Sequence, residues 1–102
     1  MVIRTKLADG KVIVEETVSG PTSYPKGGFD VRMREVRTVE APISSKADTG
    51  LLTEAYLKYA TGNVVTVKVY WQTGASGTPM TEVASGYDLS KVRFTVLTLA
   101  AY

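Results

Sequence analysis

The eight residues Val64-Val65-Thr66-Val67-Lys68-Val69-Tyr70-Trp71 constrain the fold of this chain most. β-Branched and aromatic side chains favour a pleated strand, where successive side chains point to opposite faces. Val65, Val67, Val69 and Trp71 therefore share one side. A set spaced by two cannot form one face of a helix with 3.6 residues per turn. The same alternation recurs in Val12, Val14 and Val18, in Phe29, Val31 and Met33, and in Val92, Phe94 and Val96. Gly, Pro and Ser punctuate these runs, so the pattern predicts strands over 2–7, 11–18, 29–34, 36–44, 51–60, 64–71, 80–84 and 91–100.

Particular residues sharpen this expectation. Asp9-Gly10 is the pair that a two-residue hairpin turn prefers, joining the first two strands into a hairpin over 1–18. Pro42 cannot donate to a ladder, so the strand from 36 to 44, with Val39, Ala41 and Ile43 on one face, belongs at an edge or carries a bulge. Residues 51–60 could make two or three helical turns. Tyr56, Tyr59 and the Thr61-Gly62-Asn63 turn favour a strand instead, partnering 64–71. Segments 19–28 and 72–79 are loops by composition. Leu97 and Leu99 fall on the face opposite Phe94 and Val96, so that face is expected to be partly covered, and the apolar end Leu99-Ala100-Ala101-Tyr102 to be docked. At 102 residues this is one domain, 1–102, of the all-β class: an antiparallel β-sandwich or jelly-roll-like barrel of seven to eight short strands.

What is missing excludes much chemistry. With no Cys and no His, disulfides, thiol nucleophiles, Cys/His zinc sites and triads with a histidine base are ruled out. The ten carboxylates, among them Glu15-Glu16, Asp30, Glu54 and Glu82, read as solvated charges, because Asp and Glu are rarely buried. No catalytic residue, metal ligand or cofactor site is expected, and no Gly-rich stretch matches a phosphate-binding motif. Net charge is only +2. Arg32, Arg34 and Arg37 form a basic cluster diluted by Asp30 and Glu35, without a stacking platform, so neither nucleic acid nor a membrane is an expected partner. No run reaches the roughly 20 apolar residues of a membrane span, and the start lacks the apolar stretch of a secretory signal.

Six tyrosines and one tryptophan point instead to contacts. Tyr56 and Tyr70 have the parity opposite to the core set. With Tyr24 in the first long loop and Arg32 and Arg34, they are the candidate partner-binding residues. Trp71 reads as core. Asn63 and Gln72 are the single Asn and Gln; such depletion of labile amides is a thermophile trait or the fluctuation of a short chain.

The stretch from Gly62 to Tyr70 (GNVVTVKVY), a small-residue loop, then EVASGYDLS from Glu82 to Ser90 and a last apolar strand resembles small virion structural proteins of tailed phages. Lys26-Gly27-Gly28-Phe29-Asp30-Val31 extends the likeness, which covers about residues 26–100. The resemblance implies a small sandwich on the outside of a capsid, a decoration or cement subunit assembled in the host cytoplasm and located in the virion. Its partners would be further copies of itself, for example in a trimer, and a major capsid or other virion protein. The 1–18 hairpin would then serve as an assembly arm. A carbohydrate-binding or adhesion module is the alternative.

Overall fold

A computed structural model of the chain describes residues 2–34, 36–58, 62–71 and 81–101. Its elements in order are β1 (Val2–Lys6), a 3-10 turn (Ala8–Gly10), β2 (Lys11–Ser19), β3 (Phe29–Arg32), β4 (Thr38–Ala47), β5 (Leu52–Leu57), β6 (Val64–Trp71), β7 (Thr81–Glu82) and β8 (Arg93–Ala101). They form two antiparallel sheets. Sheet A runs β1-β2-β8-β4; sheet B runs β3-β6-β5, with β7 paired to β6. The expected all-β sandwich is therefore the fold, and 52–57 is a strand rather than a helix.

The core lies between the sheets, where the alternation put it. Val12 and Val14 of β2, Val65, Val67 and Val69 of β6, and Phe94 and Val96 of β8 are all buried. Phe29 and Phe94 meet edge to face across the gap, ring centroids 5.0 Å apart, which ties β3 of one sheet to β8 of the other. Loop 19–28 folds back onto the segment before β8: Gly20 N–H donates to Val92 O at 2.9 Å, Leu89 N–H to Pro21 O at 2.9 Å, and Tyr24 N–H to Tyr87 O at 2.9 Å. This close approach requires Gly20, since a Cβ there would sit 2.4 Å from the Leu89 carbonyl oxygen.

Three local expectations need correction. The first hairpin does not use a two-residue turn: Leu7 N–H donates to Lys11 O at 2.9 Å, enclosing Ala8-Asp9-Gly10, with Asp9 in the left-handed region at φ 64°. β4 is an edge strand with bulges, as Pro42 indicated, but it extends to Ala47, past the expected loop start. Its register shifts twice, between Val39 and Ala41 and between Pro42 and Ser44. Each shift resets the alternation, so Val39 is buried while Ala41 is exposed and Ile43 is 51% exposed. Finally, β2 is an inner strand of sheet A rather than part of a detachable arm. It pairs with β8 over nine residues, from Lys11↔Ala101 to Ser19↔Arg93.

Candidate interaction surfaces

The sandwich has one closed and one open side. Beside β4 the sheets approach each other, the hydroxyl of Ser45 in β4 lying 2.8 Å from that of Thr53 in β5. On the opposite side β3 is the last strand of sheet B, and β1 covers β2 only as far as Glu16, which pairs with Val2. Between Thr17–Ser19 and β3 lies a groove of about 590 Å³, its apolar wall including Val18, Pro21, Phe29 and Val31.

Glu16 closes the inner end of this groove. Expected as a solvated charge, it follows Val12 and Val14 on the inward face and is only 1% exposed. Arg34, just beyond β3, reaches across the open side: its Nε and Nη2 donate to Glu16 Oε1 at 3.1 and 2.8 Å. Glu16 Oε2 is buried without a hydrogen-bond partner among the described residues. Arg32 and Arg34 both line the groove and both are exposed. Arg34 is thus engaged within the chain, and Arg32 is the freer contact for a partner.

Tyr24 is not at the surface. It is fully buried, and its hydroxyl fills a gap in sheet B. β3 pairs with β6 up to Val67 and β7 begins opposite Tyr70. Between them the Val69 N–H donates to Tyr24 Oη at 3.1 Å. The Tyr24 hydroxyl in turn donates to Glu82 Oε2 at 2.7 Å, which also accepts the Gly27 N–H at 2.7 Å. Burial, then the bond to Glu82, pushes the Tyr24 phenol well above its ordinary value. The Tyr24 hydroxyl and then the Gly27 N–H hold the Glu82 carboxyl below the usual carboxylate range, against its partial burial. Tyr24 is therefore a structural tie, and the expectation of a contact role for it is withdrawn.

Tyr56 and Tyr70 do share the outer face of sheet B. The register aligns Asp30, Thr66 and Tyr56 across β3, β6 and β5, and sets Tyr70 beside Leu52 and Glu82. Tyr56 and Leu52 are each 38% exposed, and Tyr70 is half-buried. The Tyr56 hydroxyl donates to Gly27 O at 2.7 Å, which fixes the ring while leaving it partly in solvent. Lys58 Nζ and Asp30 Oδ2 pair at 2.5 Å along the same face.

Sheet A has its own apolar outer face. Ile13, Leu99 and Ala41 align across β2, β8 and β4, and Leu97 lies beside Glu15. Ile13, Leu97 and Leu99 are half-buried, and Ala41 is exposed. Parity had indicated this face through Leu97 and Leu99.

Glu35, Tyr59 and the loop 72–79 lie outside the described residues, so the parts expected of them are not located. Among the described residues no cluster of three or more carboxylates could hold a metal ion, and no helix is long and apolar enough to cross a membrane. No protein-family model matches the chain, and no curated protein and no solved structure is found to be similar to it.

Proposed function

We propose that this chain is a non-enzymatic structural subunit of a virus particle, a capsid decoration or cement protein that works through protein–protein contacts. The observation that carries the reading is the pair of outer sheet faces: Leu52, Tyr56 and Tyr70 on sheet B, and Ile13, Leu97 and Leu99 on sheet A. Apolar and tyrosine side chains left on an outer face favour association, and on sheet B Leu52, Tyr70 and Tyr56 flank the Glu54–Lys68 pair. A rigid domain with one such face on each side can bridge two neighbours, which is what a cementing subunit does. Repeated weak contacts over many copies then hold without any single tight site. The resemblance of residues 26–100 to phage virion proteins supports the same conclusion.

Three measurements test it. Light scattering of the purified chain should give a mass well above the 11.0 kDa of one copy. Electron microscopy of particles from the source virus should place the domain on the shell. Replacing Tyr56 and Tyr70 by Ala should lower occupancy on empty shells while leaving the fold intact. A chain that stays monomeric at high concentration and does not bind shells would overturn the proposal.

A further inference from the structure

At the end of β6, Trp71 and Tyr87 pack with ring centroids 4.9 Å apart and planes at 90°. They wall a pocket of about 310 Å³. Its apolar base is Leu51, Leu89 and Val92, the second of them buried and the other two half-buried. Thr49 and Asp88 stand exposed at the rim. Tyr87 is 46% exposed, a large aromatic surface to leave in water beside a half-buried tryptophan.

We propose that this corner is a binding site for the ammonium end of a lysine side chain presented by a partner protein. Three features carry the assignment. In the edge-to-face pair one ring covers a face of the other, which leaves the edge-on ring with a free face whose negative π density attracts a cation within about 6 Å of its centre. Two rings at a right angle box in a compact group, whereas a sugar ring stacks on one open, flat platform. The apolar base suits a butylene stem, which lysine buries while its charge remains at the rim.

Asp88 supplies the counter-charge. Its Oδ1 accepts the Ser90 N–H at 2.9 Å, and a carboxylate has about four acceptor sites, so capacity remains for an incoming donor. Hydrogen bonds from the Ser90 hydroxyl and then its N–H, with Lys91 nearby, hold the Asp88 carboxyl below its ordinary range. The rim is therefore anionic at neutral pH. Lys91 is the cation within the chain that competes for it. This inference stands apart from the virion reading, since the pocket would take the same ligand in any assembly.

The lone tryptophan of the chain makes the test direct. The intact protein is titrated with n-butylammonium chloride, with sodium chloride at matched ionic strength, and with methyl glucopyranoside. Trp71 fluorescence and the NMR shift of its indole N–H are followed. The expected result is a saturable response to butylammonium alone, half-complete at roughly 30–300 mM, the range that one exposed cation–π contact and one surface ion pair allow. Asp88→Asn keeps the turn to Ser90 but removes the charge, and should weaken binding roughly fivefold. Tyr87→Leu should abolish the response, and its NMR spectrum shows whether the fold is kept. A response no larger than that to sodium chloride, an equal response to the sugar, or unchanged binding by Asp88→Asn would each overturn the proposal.

Discussion

Glu16 of β2 and Arg34 beyond β3 join the two sheets on the open side of the sandwich, the guanidinium placing two donors on a single carboxylate oxygen at 2.8 and 3.1 Å. The pair is lopsided: the Glu16 side chain is 2% exposed and that of Arg34 59%. Removing Arg34 strands a buried charge, whereas removing both partners strands nothing. Arg34→Met should therefore lower stability by about 2 kcal/mol, less than a fully buried pair because the arginine is largely solvated. The double variant Glu16→Met with Arg34→Met should be more stable than Arg34→Met alone. Urea unfolding of the two proteins checks both statements.

The Tyr24–Glu82 bond makes stability depend on pH from both ends. The Glu82 carboxyl is held low in the folded state, so its contribution is present above the unfolded value near 4.5 and is lost as pH falls through the folded one. The Tyr24 phenol is pushed up. Its contribution is complete below the unfolded value of 10.0 and fades as pH rises beyond it. Denaturation midpoints measured across pH should show a smaller acid-side loss in Glu82→Gln than in the parent. Tyr24→Phe should reduce the alkaline loss, and should cost about 1–3 kcal/mol at neutral pH because the Val69 N–H loses its acceptor.

Gly20 has no room for a methyl group. A Cβ would lie 2.4 Å from Leu89 O and 2.7 Å from a ring carbon of Phe94, both fixed by the core. Gly20→Ala should destabilise by roughly 2–3 kcal/mol, in the range of overpacking. Gly27→Ala is the control for steric crowding, since a Cβ there meets nothing within 4 Å. Its φ of 102° still makes that control a strained one, so the comparison separates contact from backbone strain. Thermal melts of both variants decide it.

The first hairpin divides into a dispensable and an essential half. β1 pairs with β2 alone, and its residues from Arg4 to Lys6 are exposed. β2 carries Val12 and Val14 into the core. Deleting residues 1–6 should leave a cooperative melt at a somewhat lower temperature. Deleting 1–18 should abolish it. Any assembly role for this end of the chain thus falls to β1, and comparing oligomer mass with and without residues 1–6 tests that role separately.

Strands were legible wherever alternation ran unbroken, as from Val64 to Trp71, because one buried face dictates a period of two. β4 was misjudged at Ala41 and Ile43, since a bulge flips the parity of every later residue and leaves only Pro42 as a clue. Glu16 carried a usable signal, falling in step with Val12 and Val14, but its charge outweighed its position until Arg34 was seen to answer it. Tyr24 carried none. It sits in a Gly/Pro loop without periodicity, and its backbone partner Val69 is 45 positions away. Tyr56 and Tyr70 were placed on the solvent side by parity alone. The Trp71–Tyr87 corner depends on a turn packing against a strand end, which no local pattern encodes.

The place of β8 between β2 and β4 has a consequence for biosynthesis. It follows the other seven described strands in the chain, yet both neighbours in sheet A depend on it for their ladders. Until it emerges, the inward valines of β2 have no completed sheet to seat them, and β4 has no strand to hold it. Sheet A therefore closes only once β8 is free to pair, and the β1–β2 hairpin must stay soluble until then. Arg4 and Lys6 of β1 and Lys11 at the start of β2 are placed to keep it so.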